Sequence, residues 1–94
     1  MAIRKDDKFD ALFAGILKLG SIEECYDFFD DLCTRGELID MADRYEVAKL
    51  LITGTTYEQI EKKTKMSSAT ISRINRCLQQ GNGGYNLVIT RTKK

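Results

Sequence analysis

Apolar residues recur every three or four positions along most of the chain, a spacing typical of amphipathic α-helices. The first predicted helix spans residues 8–19, and Gly20 is expected to end it as a C′ glycine. Ser21 and Glu24 form a capping-box pattern, in which each side chain accepts a hydrogen bond from an unpaired amide of the first turn. A second helix is therefore predicted to start directly after Ser21.

A third helix is predicted to begin at another capping box, Thr34 with Glu37, and to run to about Thr53, where Gly54 ends it. From Val47 onward this helix is apolar nearly all round. A helix of that kind is normally buried between other helices. The pattern therefore favours packing against further helices, including those of a second chain.

Residues 57–78 predict two short helices joined by a tight turn, which is the organisation of a helix-turn-helix. Ser67 and Ser68 are suited to cap the second helix, because their hydroxyls accept from its unpaired N–H groups. Apolar residues of both helices and of the turn have the spacing of a small shared core. These core candidates are Ile60, Met66, Ile71 and Ile74, with Leu78 extending the stripe.

The opposite face of the second helix carries small and basic residues, namely Ala69, Ser72, Arg73 and Arg76. Small residues let the start of a helix approach a groove closely, and arginines reach base edges or phosphates. The face therefore predicts DNA recognition. The alternative is an ordinary helical hairpin with a basic, solvent-facing side.

Residues 81–84, Gly-Asn-Gly-Gly, predict a turn or hinge. Residues 85–90 then fit a helical turn, a strand or a tail ordered only by its contacts equally well. The chain is interpreted as one domain over residues 1–94, with the helix-turn-helix at about 56–80. The sequence does not decide the structure of the tail, residues 81–94.

The composition contains no proline and many helix-forming residues, which predicts an all-α, multi-helix fold. A chain of 94 residues buries only roughly 60–65% of its unfolded surface, so a partner subunit would add stability. No apolar run approaches the ~20 residues that span a bilayer, and no membrane partner is expected.

The net charge of +1 conceals a gradient along the chain. Residues 1–47 contain 6 Lys+Arg and 12 Asp+Glu, a balance of −6, whereas residues 48–94 contain 9 and 2, a balance of +7. Double-stranded DNA is therefore expected to bind at the C-terminal half. The acidic residues Asp27, Asp30 and Asp31 are interpreted as a solvated helix face rather than a metal or partner site.

Cys25, Cys33 and Cys77 have no CxxC spacing, and the chain has no histidine. These facts argue against a zinc site and against His-based catalysis, so no metal, no cofactor and no enzymatic activity is predicted. The odd cysteine count and the lack of a signal peptide suggest a reducing cytoplasm. The cysteines themselves are predicted to be small buried apolar residues.

The segment DLCTRGELIDMADRYEVAKLL, the break at Gly54 and the motif ATISR resemble the trp repressor family, in particular the trp-repressor-related proteins of Gram-positive bacteria. The resemblance covers roughly residues 26–81. It implies an all-helical, intertwined homodimer whose two recognition helices enter successive major grooves of a palindromic site. It also implies a closing C-terminal helix, which is not evident in GNGGYNLVIT.

The resemblance also assigns DNA contacts. The family's basic contacts on the first helix of the motif fall on Glu58 and Glu61, whose charge has the wrong sign for phosphates. The DNA contacts must therefore differ from the family's pattern. Positions that match base-facing residues are Ser68, Ala69 and Ser72, with Thr70 among them. The remaining DNA-binding candidates are Ser67, Arg73 and, as replacement phosphate contacts, Lys62, Lys63, Lys65 and Arg76.

A candidate effector pocket follows from the same resemblance. Arg44 and Arg73 match the two arginines that hold the corepressor tryptophan, and Thr34 matches a threonine near the pocket. Ile74 stands where the family has glycine, and Cys77 stands where a serine binds the ligand's amino group. The bulkier Ile74 side chain and the weaker hydrogen-bond acceptor at Cys77 argue against tryptophan as the ligand. They are compatible with another small-molecule corepressor.

Together these features predict a cytoplasmic, sequence-specific DNA-binding transcriptional regulator, in particular a repressor, that binds a palindromic operator as a homodimer. The alternative is a helical protein-interaction module that has lost DNA binding. The surface around residues 68–76 distinguishes the two hypotheses. A DNA-binding protein should be positive there, and an interaction module should carry an apolar patch.

Overall fold

The computed structural model describes residues 4–93, which form six α-helices and no strand. The predicted all-α fold is therefore confirmed. The helices are α1 (Asp7–Ile16), α2 (Ile22–Leu32), α3 (Arg35–Ile52), α4 (Tyr57–Thr64), α5 (Ser68–Gln80) and α6 (Gly84–Thr92). By their contacts the residues divide into two compact units, one ending at Ile39 and one beginning at Asp40, so that α3 starts in the first and continues in the second.

The junction between α1 and α2 differs from the prediction. Helix α1 ends at Ile16, three residues earlier than expected, and Gly20 does not terminate it. The Gly20 N–H instead donates to Glu24 Oε1 over 2.7 Å, so this glycine belongs to the start of α2. Ser21 Oγ accepts from the Glu24 N–H over 3.1 Å, as a capping serine should. The predicted capping box is thus half formed, with its second bond shifted by one residue.

The N-terminal unit buries very little. Neither α1 nor α2 contains a buried residue, and the acidic residues Asp27, Asp30 and Asp31 are exposed, as predicted. Large apolar side chains of this unit are exposed as well, since Leu17 is 83% exposed and Ile22 is 73% exposed. The other exposed apolar residues of the unit are Phe9, Phe13, Tyr26, Leu32 and Ile39.

Both ends of α3 follow the sequence prediction. The Thr34 N–H donates to Glu37 Oε1 over 2.8 Å, and the Glu37 N–H donates to Thr34 Oγ1 over 3.1 Å, which completes the capping box. At the other end Gly54 has φ +90°, in the left-handed region. Its N–H donates to the Leu51 carbonyl, and the next N–H donates to the Leu50 carbonyl, which is the Schellman arrangement.

The C-terminal unit has a hydrophobic core made of aliphatic side chains from four helices. The predicted helix-turn-helix core is confirmed, because Ile60 and Ile71 are fully buried, Ile74 is 4% exposed and Met66 is half-buried against them. Fully burying an isoleucine contributes on the order of 1.5–3 kcal/mol, so these few residues hold the unit together. The remaining buried members are Val47 and Ala48 of α3 and Ile89 of α6.

The C-terminal segment forms α6, a helix that the sequence did not reveal. Gly83, with φ +82°, precedes it, and Ile89 packs into the core with 4% exposure while Tyr85 packs against it. β-branched residues are modest helix formers, so burial of this face selects the helix over a strand. The closing helix expected from the family is therefore present, and the view that it was not evident is corrected. Lys94, the last residue of the tail, lies outside the described residues.

Candidate nucleic-acid interface and adjoining cleft

Helix α4, the first helix of the motif, starts at a complete capping box. The Gln59 N–H donates to Thr56 Oγ1 over 3.2 Å, and the Thr56 N–H donates to Gln59 Oε1 over 3.1 Å. Ile60 then points into the core. Because one end is capped and one face is buried, this helix of eight residues is fixed in orientation although it is too short to be stable alone.

Residues 65–67 make the turn between α4 and α5. Lys65 has φ +62°, and it is the one non-glycine residue with positive φ within residues 4–93. A left-handed conformation costs a side-chain-bearing residue on the order of 1 kcal/mol. Thr64 holds the turn, because its hydroxyl donates to the Ile60 carbonyl over 2.7 Å and accepts from the Met66 N–H over 3.3 Å.

Helix α5, the candidate recognition helix, is capped by Ser67. Its hydroxyl accepts from the Thr70 N–H over 3.2 Å and donates to Thr70 Oγ1 over 3.1 Å. Ile71 and Ile74 anchor the inner face of the helix. Ser68 is the first helical residue rather than the cap, so its side chain is free of the capping role and exposed.

The outer surface of the turn and of α5 is basic. Residues 62–76 contain five Lys+Arg and no acidic residue. Within residues 58–86, all of which the structure describes, no large hydrophobic side chain is exposed. Of the DNA-binding candidates, Lys62, Lys63, Lys65, Ser67, Ser68, Ala69, Arg73 and Arg76 are exposed, and Thr70 and Ser72 are half-buried.

The acidic side chains of α4 stand before this basic surface in the chain. Glu58 is exposed in the first turn, where a carboxylate interacts favourably with the positive end of the helix dipole. Glu61 is half-buried near the middle of the helix. Lys62 and Lys63 occupy the last turn, where positive charge is favourable for the same reason. The sign of the surface therefore changes along α4, and its basic end adjoins the turn.

A cleft of about 430 Å³ lies beside α5. It brings together three of the predicted effector residues, Arg44, Arg73 and Cys77. Thr34 is not among its lining residues, and its side chain caps α3 instead. The full lining consists of Asp40, Asp43 and Arg44 of α3, Met66 of the turn, Thr70, Arg73, Ile74 and Cys77 of α5, and Tyr85 of α6.

Two lining residues change how the cleft is interpreted. Ile74 is 4% exposed, so most of this side chain belongs to the core and only its edge forms part of the cleft wall. Cys77 lines the cleft and is exposed, which corrects the expectation of a buried cysteine. Cys25 and Cys33 are half-buried.

Sequence reasoning missed Asp40 and Asp43 as members of this site. The spacing of Asp40, Asp43 and Arg44, at i, i+3 and i+4, places all three on one face of α3 and was available as a signal. Tyr85 gave no such signal, because the sequence does not decide between a helix, a strand and a tail for its segment. The cleft therefore carries two carboxylates as well as two guanidinium groups, a mixture that the resemblance did not suggest.

The described residues form neither a metal-binding cluster nor a membrane-spanning helix. No group of three or more Cys, Asp or Glu side chains in the described part of the chain is placed to hold a metal ion. None of the six helices described above is both long and apolar enough to cross a bilayer.

Six helices and a three-residue turn between α4 and α5 define this chain as an all-α protein of the helix-turn-helix class. The family model for the Trp repressor protein matches residues 7–93, nearly the whole chain, so the protein belongs to the Trp repressor family. The resemblance noted from the sequence is thereby confirmed.

Three relatives agree with this assignment. The chain is 51% identical over 87 residues to the uncharacterized protein YerC of Bacillus subtilis strain 168, covering 93% of this chain and 84% of YerC. It is similar to a crystal structure of a candidate Trp repressor from Staphylococcus aureus, with 46% identity, a TM-score of 0.88 and coverage of 93% of this chain and 87% of that one. A TrpR-like protein from Eubacterium eligens gives 47% identity, a TM-score of 0.88 and coverage of 93% and 90%.

Proposed function

We propose that this protein is a transcriptional regulator, in particular a repressor, that recognises a specific sequence in double-stranded DNA. The observation that carries the proposal is the surface of residues 62–76, whose five basic residues are all exposed and which contains no acidic residue. Such a surface attracts phosphates and releases their counterions. Membership of a regulator family supports the same conclusion and argues against enzymatic activity.

The two ends of this surface have different roles. The first turns of α5 carry the base-facing candidates, whose short side chains let the helix enter the major groove. Basic residues on either side position the helix by contacting phosphates. The base-facing set is Ser68, Ala69, Thr70 and Ser72, with Ser67 at the cap. The phosphate set is Lys62, Lys63, Lys65 and Arg76, with Arg73 at the border between DNA and cleft.

The protein acts as a homodimer in this proposal. The N-terminal unit supports it, because α1 and α2 contain no buried residue while Leu17, Ile22 and Tyr26 are each at least 70% exposed. Exposed apolar surface on this scale marks an interface, and a second copy of the chain covers it symmetrically. A two-fold dimer then recognises a two-fold symmetric DNA site in the cytoplasm, where the bacterial chromosome lies.

The cleft beside α5 is proposed as the effector site. It combines Asp40 and Asp43 with Arg44 and Arg73, so it suits a small molecule that carries both a cationic and an anionic group. Tryptophan is not the expected ligand, because Ile74 and Cys77 replace the small and the polar residue that the family uses there. Thermal-shift assays with a panel of amino acids test this assignment, and a large stabilisation by tryptophan would contradict it.

Binding of labelled duplex DNA, followed by fluorescence anisotropy across a salt series, tests the main proposal. Affinity should fall steeply with salt, and one duplex sequence should compete better than its scrambled version. The alternative, a protein-interaction module, predicts an apolar surface around residues 68–76, and within that stretch the described side chains leave no large hydrophobic exposed. An affinity for DNA that changes neither with salt concentration nor with duplex sequence would favour the alternative.

A further inference from the structure

The turn between α4 and α5 contains a lysine in a conformation that lysine rarely adopts. Lys65 has φ +62°, a backbone region favoured by glycine and asparagine. The residue serves as the C-cap of α4, and its N–H donates to the Glu61 carbonyl over 2.9 Å. That bond uses only the backbone, so glycine would make it equally well and with less strain.

The lysine side chain has no visible part in holding this turn. Thr64 supplies the side-chain hydrogen bonds of the turn, to the Ile60 carbonyl and from the Met66 N–H. Ser67 caps the following helix. The Lys65 residue is exposed, and its position in the chain falls between the basic last turn of α4 and the start of α5. A strained residue that the fold does not require is a candidate for a functional one.

Resting on the proposed function, we propose that Lys65 is the positioning residue of the DNA interface. Its ammonium group binds a backbone phosphate at the edge of the groove and thereby sets the depth and register of α5. The left-handed backbone matters because it fixes the direction in which the chain leaves the turn, and so aims the side chain outward at the corner of the motif. Lys62 and Lys63 occupy the last turn of α4 and add positive charge next to the turn.

Four substitutions separate this role from a purely structural one. Lys65→Gly and Lys65→Asn both suit a left-handed residue and remove the charge. Lys65→Arg keeps the charge. Lys18→Asn removes an exposed positive charge from the N-terminal unit and serves as the matched control. Each variant is measured twice, for its melting temperature and for its affinity for a long duplex of mixed sequence across a potassium chloride series.

For Lys65→Gly we expect the melting temperature to rise while the affinity for DNA falls. Lys65→Gly should raise the melting temperature by roughly 2–6 °C, because backbone strain is relieved. Both neutral variants should lose about 5–10-fold in affinity at low salt, and the slope of log K against log salt should flatten by about one per protomer. Lys65→Arg and Lys18→Asn should bind DNA as the unmodified protein does.

A failure of the proposed role of Lys65 and a failure of the proposed function give different results. If the unmodified protein binds DNA and the neutral Lys65 variants bind it equally well with the same slope, Lys65 is not the positioning residue although the proposed function stands. A fall in the melting temperature of Lys65→Gly with unchanged DNA affinity would assign the lysine to the fold instead. If the unmodified protein binds no duplex at all, the proposed function is overturned together with the role of Lys65.

Discussion

Two residues of α5, Ile74 and Thr70, each stabilise the helix and also line the cleft. Ile74 is almost fully buried in the core of the C-terminal unit and yet forms part of the cleft wall. Thr70 lines the cleft and also joins the serine cap of the helix through its hydroxyl. A change at either residue is therefore expected to alter both the packing of α5 and the shape of the cleft.

Replacing Ile74 by glycine should lower the free energy of unfolding by about 3–5 kcal/mol. Removing a buried aliphatic side chain costs about 2–4 kcal/mol, and glycine inside a helix adds about 1 kcal/mol. Denaturant unfolding measures the change, and Ile74→Val, which deletes one methylene, is the control with an expected loss of about 0.5–1.5 kcal/mol. A loss below about 1 kcal/mol for the glycine variant would place Ile74 outside the core.

Arg76→Ala should weaken DNA binding by a similar factor for every sequence, because a phosphate contact carries no sequence information. The salt slope should flatten by about one per protomer. Anisotropy titrations against a preferred and a scrambled duplex measure both quantities, with Arg35→Ala in the N-terminal unit as the charge-matched control. If only the preferred duplex loses affinity, Arg76 contacts a base and not a phosphate.

Whole helices could be predicted where local chemistry decides their ends. The Thr34 cap and the Gly54 stop follow from side chains within a few residues of each other, and the structure contains both. Gly20 was wrongly predicted to end α1, because its N–H instead donates to Glu24 Oε1 at the start of α2. The sequence pattern does not show which of these two roles the glycine takes. Helix α6 depends on burial of Ile89 against residues far away in the chain, which no local signal records.

Gly54→Ala should destabilise the protein by about 1 kcal/mol. Its φ of +90° strains any residue with a Cβ, and no neighbouring atom lies within 4 Å of the position where that Cβ would be, so strain alone is the cause. Gly36→Ala is the matched control, because this helical glycine also has open space around it, and alanine there should stabilise by about 0.4–1 kcal/mol. Thermal unfolding of both variants measures the difference. Equal effects of the two substitutions would contradict the Schellman assignment.

Over residues 4–93, the molecule divides into a C-terminal unit with a buried core and an N-terminal unit whose described residues form none. The core of the C-terminal unit was predictable from apolar spacing, since Ile60, Ile71 and Ile74 were named from the sequence. The cleft was predictable only in part, because Arg44, Arg73 and Cys77 came from a family resemblance while the carboxylates and Tyr85 needed the assembled helices. The exposed apolar side chains of α1 and α2 support the proposed homodimer.

Ile22→Lys tests this dimer. Ile22 is 73% exposed in the single chain, so in a monomer the substitution should change stability by no more than about 0.5 kcal/mol. In a dimer it places a charge in an apolar interface, and the dissociation constant of the dimer should rise at least tenfold. Sedimentation equilibrium at several protein concentrations measures the mass, with Asp27→Lys on the exposed acidic face as the control. A dimer that tolerates Ile22→Lys would exclude this face from the interface.

A homodimer that recognises a specific duplex sequence through α5 should select that sequence from a random pool. Selection of bound fragments from a random pool of duplex DNA by the purified protein, repeated with added amino acids, tests it most directly. We expect enrichment of a two-fold symmetric consensus whose half-sites lie about one helical turn apart, roughly 10 base pairs centre to centre. A pool that remains random after repeated rounds, or a consensus without two-fold symmetry, would contradict it.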